Sequence, residues 1–294
     1  MSTATTSKHS AASGPGAPAK SGVNFLRVLR SEWIKVTTVP STVILLAITV
    51  AVMVGLAALG AWQIVVVLDQ IASATNAEEA VIFGDPQMYR DIVPEIPSSG
   101  IFFGQLLIAS LAVVLIASEW GTGMIRSTFS AVPKRIPALL AKNLIMALIA
   151  FLVGAAAAFI SLLAAQPILS GGDLSLSVND DGVLASILNT GTCLALIAVF
   201  SMAIGTLLRN TAGGVVTAIG IIFVLPMVVG LVEGIADWIP DAARFLPSNA
   251  GTQLVMAGAT AEGDLTQLQG GLVLAAWAAV LLLISLIVTK RRDV

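Results

Sequence analysis

Apolar residues run through this chain in long blocks, divided by short polar stretches. Six blocks, at approximately 41–67, 100–118, 138–165, 184–207, 212–232 and 269–289, are each about as long as an α-helix needs to cross a hydrocarbon core of ~30 Å. The first follows Pro40, a residue suited to the opening turn of a helix, and the last stops before Lys290, Arg291 and Arg292. The pattern predicts an all-α polytopic membrane protein of six spans.

The polar stretches are not alike. Ahead of the first span, "VNFLRVLRSEWIKVTTVPS" places Leu26, Leu29, Trp33 and Val36 at helical spacing, with Arg27, Arg30 and Lys35 largely off that stripe. It predicts a basic amphipathic helix lying in a membrane interface, its cations towards anionic headgroups. Between the second and third spans, "SEWGTGMIRSTFSAVPKR" is far longer than a helical hairpin needs. Gly121 and Gly123 are expected to end the second span, and Ser127, Thr128 or Ser130 could cap a short helix before Pro133. Met124, Ile125 and Phe129 beside Arg126 read as an exposed binding surface for a cytoplasmic protein. Glu119 reads either as an exposed acid at a helix end or as a partner for Arg126 or Lys142.

On the other side, residues 68–99 form a long polar segment and residues 166–183 a short acidic loop. Residues 233–268 mix apolar side chains with acids and two prolines, as expected of short helices in the outer interface or dipping into the outer leaflet.

Charge orients the pattern. With both ends inside, thirteen of the 15 Lys and Arg residues fall on the cytoplasmic side, leaving Arg90 and Arg244 outside. Of 17 acidic residues, just Glu32, Glu119 and Asp293 lie inside. The reading is a plasma-membrane protein with cytoplasmic termini, and a flexible cytoplasmic tail over residues 1–22. That tail lacks the apolar core of a signal peptide. Composition agrees: 57% of the 294 residues are hydrophobic and 11% charged, against about 25% charged in soluble domains.

Chemistry enters mainly by exclusion. No Gly-Lys pair occurs, so no P-loop can hold ATP phosphates. Cys193 is the only cysteine and His9 the only histidine, which excludes an intrachain disulfide, a cysteine zinc site and a Ser-His-Asp triad. A single tyrosine and no dense basic face argue against nucleic acid. The span cores carry essentially no charge. Gln105, Asn189, Thr190 and Thr192 are their notable polar residues, read as interhelical hydrogen-bonders ahead of substrate contacts. This chain alone is expected not to be an enzyme.

Four segments resemble one family, the ABC-2-type permease subunits of bacterial ATP-binding-cassette exporters. "LRSEWIKVTTVPSTVILL" is similar to its amphipathic opening, and "SEWGTGMIRSTFSAVPKR" continuing into "ALLAKNL" to its first cytoplasmic loop. "GTLLRNTAGGVV" and "FLPSNAGTQL" are similar to later signatures, so that residues 23–294 correspond to one ABC-2-type transmembrane domain. The resemblance implies a type V exporter fold in the bacterial plasma membrane, two permeases (as a homodimer or heterodimer) forming the path. Leu26, Arg27, Leu29, Arg30 and Trp33 would belong to an elbow helix. Glu119, Thr122, Met124, Ile125, Arg126 and Phe129 would lie at a coupling helix that docks on a separate ATPase subunit, which supplies the ATP and Mg sites. ATPase closure would push that helix and tilt spans two and five, Pro226 allowing a kink in span five. Residues 233–268 would hold external re-entrant helices, and 68–99 exceeds the family's basic pattern. Phe102, Phe103, Gln105 and Phe223 are candidates for the translocation path. The other readings are an ATP-independent transporter or channel, and a non-transporting sensor or immunity scaffold that uses the same loop to hold a partner.

Overall fold

The computed structural model describes residues 25–74, 84–125, 135–258 and 263–291. Among them there are helices and no strands. Six helices are long and apolar enough to cross a membrane: Pro40–Ser73, Val93–Gly121, Ile136–Ser170, Val183–Leu208, Thr211–Ile235 and Gln267–Arg291. This is the architecture of a multi-pass membrane protein, and the spans contain those expected from hydropathy, extended by up to seven residues at their ends. A separate helix, Phe25–Thr38, precedes the first span. The expected tail at 1–22, and Arg126 and Phe129 within 126–134, lie outside the described residues.

Local chemistry sets the boundaries. Pro40 occupies the first turn of the first span behind extended Val39, where its missing N–H costs nothing. Asn210 opens the fifth span, its Oδ1 accepting from the Gly213 amide at 2.7 Å, the usual N-cap arrangement. The link from span four is therefore only Arg209 and Asn210, with Arg209 turned left-handed at φ 53°. In the fifth span the backbone widens into a π-helical turn over Gly220–Val224 just before Pro226. The irregularity expected at this proline is a π turn ahead of it.

The second and fourth spans form the centre of the bundle, and the first, fifth and sixth lie at its edge. Ile108, Ile116, Leu194, Ile197 and Phe200 fill the main core. Spans three and four approach closely at Gly191, where an added Cβ would stand 2.6 Å from the Phe151 carbonyl oxygen. Small residues at such crossings let helix backbones pack directly when lipid supplies no hydrophobic drive.

One expectation changes at the end away from Phe25–Thr38, called here the far end, and another is met in two different forms. Residues 93–98 are part of no external loop. They form a 3-10 helix with Val93, Ile96, Pro97 and Ser98 buried in the bundle, because Val93 and Ile96 are apolar and pack with side chains of the first, third and fourth spans. The segment from 233 onward contains two short helices of opposite character. Trp238–Ala243 buries none of its residues, whereas Pro247–Val255 buries six of nine against spans four and six.

Candidate functional site

The main site lies at the near end, where the leading helix meets the second and third spans. Glu32 faces inwards from Phe25–Thr38 between Val28 and Val36, one turn away on either side. That buried stripe differs from the apolar one read in the sequence. Leu26 and Trp33 are exposed, Leu29 is half-buried, and Arg27 and Arg30 are exposed. Val36 packs on Ile145 and Ile149 of the third span. One face of this helix is thus apolar and outward, and another is held to the bundle around a carboxylate.

Glu119, in the last turn of the second span, and Lys142, in the second turn of the third, complete the arrangement. Lys142 Nζ donates to Glu32 Oε2 at 2.5 Å and to Glu119 Oε1 at 2.7 Å. Lys35 Nζ donates to Glu32 Oε1 at 2.7 Å and lies 3.6 Å from Glu119 Oε1. Glu32, Glu119 and Lys142 are 2%, 6% and 7% exposed. Two carboxylates face two ammonium groups, so the group is neutral as a whole, which is the condition for retaining charges away from water.

Burial alone would raise the Glu32 carboxyl, but the Lys142 charge and hydrogen bond, aided by Lys35, outweigh it and hold Glu32 below the ordinary carboxylate range. Burial would likewise lower Lys35, yet its hydrogen bond to Glu32 and the Glu119 charge raise it above the ordinary lysine range. Both groups are charged at neutral pH.

The sequence offered Lys142 as one of two partners for Glu119, and that pairing is present. Glu32 was missed. Its signal was available: it stands four residues from Val28 and from Val36, and is one of three acids on a side rich in cations.

Other expected site residues fall elsewhere. Thr122 is exposed at the end of the second span, its hydroxyl bonded back to the Ser118 carbonyl at 2.8 Å. Gly123 then turns left-handed at φ 74°, and Met124 and Ile125 are again helical. Met124 is exposed as expected, but Ile125 is 2% exposed and belongs to the main core. The expected surface loses that residue, because the turn folds it back under the bundle. Trp120 lies beneath the Arg209 guanidinium, 4.0 Å from its ring centre, joining the second span to the four–five link by a cation–π contact.

Phe102, Phe103 and Phe223 come together, with edge-to-face ring distances of 5.3 Å and 5.5 Å. They form an exposed aromatic patch where the second span meets the π turn of the fifth. Phe102 also borders a cavity of about 580 Å³ shared with Gln63, Tyr89, Glu95 and Thr252. Gln105 does not share that surface. It is 1% exposed and points into the core towards Gly251, rotated about 60° from Phe102 and about 160° from Phe103 around the helix axis.

Thr190 and Thr192 bond their own helix, to Ser186 and Leu188 carbonyls, not a neighbour. Ser186 makes the interhelical bond instead, to the Val255 carbonyl at 2.6 Å. Ser98 reaches the same oxygen at 3.5 Å and Gln267 donates to the Met256 carbonyl. These donors satisfy the carbonyls left open at the end of Pro247–Val255.

Among the described residues no group of three His, Cys, Asp or Glu side chains is placed to hold a metal ion. The near-end group can hold three helices together and respond to their displacement. Compared with models of known protein families and with curated proteins, the chain gives no match.

Proposed function

We propose that this chain is the membrane subunit of an ATP-driven exporter of the ABC-2 type, working with a second permease, identical or different, and with a separate ATPase subunit that binds ATP and Mg. The near-end ion network carries this reading. It ties the leading helix to both helices between which residues 122–134 run, so a force applied to that segment reaches the leading helix through charges that cannot be separated cheaply. In this reading Phe25–Thr38 is the elbow helix, residues 119–135 present the coupling helix, and Pro247–Val255 is the re-entrant element on the outer side. Thirteen Lys and Arg against two favour cytoplasmic termini in a bacterial plasma membrane. Phe102, Phe103 and Phe223 are the path-facing candidates, and Gln105 is withdrawn to the core. The subunit itself is non-catalytic.

The test is affinity isolation of the tagged chain from its native membrane in mild detergent, with ATPase activity assayed on the eluate. A co-purifying Walker-motif protein, lost on Arg126→Glu or Phe129→Ala, is the expected result. Recovery of the chain without ATPase activity would instead favour gradient-driven transport or a scaffold. Transport by the chain alone in liposomes under an ion gradient separates those two.

A further inference from the structure

The far-end cavity of about 580 Å³ lies between span one, the 3-10 segment Val93–Ser98 and the helix Pro247–Val255. The volume is within the range of small-molecule sites. Ile64, Ile96, Ile101, Val255 and Met256 supply apolar wall, and Tyr89 and Phe102 add two aromatic rings. Gln63, Ser99 and Thr252 also line it and are exposed, so the cavity is reached from the surface. Gly60 and Gln63 stand about 30–35 Å along span one from Pro40. That places the cavity at the far boundary of a hydrocarbon core of ~30 Å.

The polar groups in these walls are mostly acceptors. Ser99 Oγ donates to the Ile96 carbonyl at 2.8 Å, Thr252 Oγ1 to the Ser248 carbonyl at 3.1 Å and Ser98 Oγ to the Glu95 carbonyl at 3.0 Å. With their protons spent, these hydroxyls have only lone pairs to offer. Glu95 lines the same cavity and is half-buried, with neither carboxylate oxygen both sealed from solvent and unpaired. One backbone N–H, from Gly258, reaches the carboxylate, which leaves most of its lone-pair sites open. Among the described residues no lysine or arginine forms an ion pair with Glu95, and none lines the cavity. Of the lining side chains, only Gln63 and Tyr89 can bring a donor. The cavity thus holds one full negative charge, hydroxyl acceptors and two aromatic rings, with no cation.

We propose that this cavity binds a lipophilic ammonium ion of small-molecule size, an apolar body carrying a single protonated amine. The amine donates to the Glu95 carboxylate and the hydroxyl oxygens beside it, and the apolar body packs on the isoleucines and Phe102. A charged donor on a carboxylate makes the stronger class of hydrogen bond, and aromatic faces add attraction for a cation. An anionic ligand would meet the Glu95 charge with nothing to offset it. A neutral ligand would leave that charge without a counter-ion. The proposal goes beyond the exporter reading and does not rest on it, because it uses the far-end walls alone. Amine binding by the isolated chain would stand even where no ATPase co-purifies.

The test titrates the purified full chain in detergent with 4-phenylbutylamine, 4-phenylbutanol and 4-phenylbutanoate, three probes of similar shape and different charge. Binding is read by calorimetry at neutral pH, with the heat of empty micelles subtracted. The amine should bind at least about tenfold more tightly than either of the others. Glu95→Gln keeps an acceptor for Gly258 and should erase that preference while leaving the alcohol unchanged. Gly60 shares a helix face with Gln63 and Ile64, and a Cβ added there meets nothing within 4 Å. Gly60→Phe should therefore fill part of the cavity, weakening the amine at least about tenfold without lowering the thermal midpoint of the ligand-free protein. Equal binding of amine and alcohol by the wild-type chain would overturn the assignment of a cationic ligand. An amine preference that survives Glu95→Gln would remove Glu95 from the site. Amine binding unchanged by Gly60→Phe would overturn the cavity as its location.

Discussion

Both ends of this bundle hold polar groups away from water, and they do so with different chemistry. At the near end, full charges from three helices converge, with Lys142 shared between Glu32 and Glu119 at 2.5 and 2.7 Å. At the far end, the open carbonyls of Pro247–Val255 are met by neutral donors, Ser186 at 2.6 Å and Gln267. A neutral cap can lose one donor and keep most of its stability, since several groups share the load. A charge pair cannot, because the remaining partner stays buried without compensation. The near end is consequently an all-or-none joint, and the far end a graded one.

The largest effect should come from breaking the joint at its shared member. Lys142→Met leaves two carboxylates facing each other and is expected to cost about 3–5 kcal/mol, read from chemical unfolding in detergent. Adding Glu32→Gln and Glu119→Gln should restore most of that loss. A failure of the triple variant to recover would show that packing of Lys142, not its charge, dominates.

Next is the far-end contact most dependent on space. A Cβ at Gly270 would stand 2.6 Å from the Ala250 carbonyl oxygen. Gly270→Val should cost about 1–3 kcal/mol through forced displacement, and hydrogen exchange should quicken across 247–255 and leave 25–38 unchanged. Ser186→Ala, which removes one donor from a shared acceptor, is expected to cost about 1 kcal/mol by the same unfolding assay.

The smallest effect separates the two ends by pH. Glu32 is depressed when folded, so its contribution is complete above its ordinary value of 4.5 and is lost as pH falls through the lower folded value. Lys35 is raised, so its contribution is complete below 10.5 and is lost as pH rises through the higher folded value. The thermal midpoint should be flat between those limits and fall outside them. The acid limb should be shallower in Glu32→Gln, while the deficit of Ser186→Ala should stay the same at every pH. A pH-dependent Ser186 deficit would mean the two ends are coupled.

These contrasts show why some of the molecule was legible in the sequence and some was not. The six spans were readable because each is a long uncharged run, and burial in lipid or protein demands the same residues. For that reason the pattern could not say which face of a span meets protein. Gln105 and Phe102 lie three residues apart on one helix, and packing against the fourth span and Pro247–Val255 decides that the first faces inwards. The ion network was half legible. Glu119 and Lys142 are near in sequence, at the facing ends of consecutive spans, whereas Glu32 reaches Lys142 across 110 residues. Ile125 looked exposed because its neighbours are polar, but the chain folds it back against the core. Val93–Ser98 looked like loop because of its two prolines, which a 3-10 turn accommodates.

The sharing of Lys142 also fixes an order of events during synthesis. Glu32 and Glu119 leave the ribosome before it, separated from it by 110 and 23 residues, and chains acquire structure from the N-terminus as they are made. Until residue 142 arrives, two carboxylates at the membrane boundary have only Lys35 between them. The leading helix and the second span therefore cannot seal against each other early. Insertion of the third span closes the near end, delivering the counter-ion and the Ile145 and Ile149 surface in one step. A ribosome stalled before that span would hold a nascent chain whose first helix is still free at the interface.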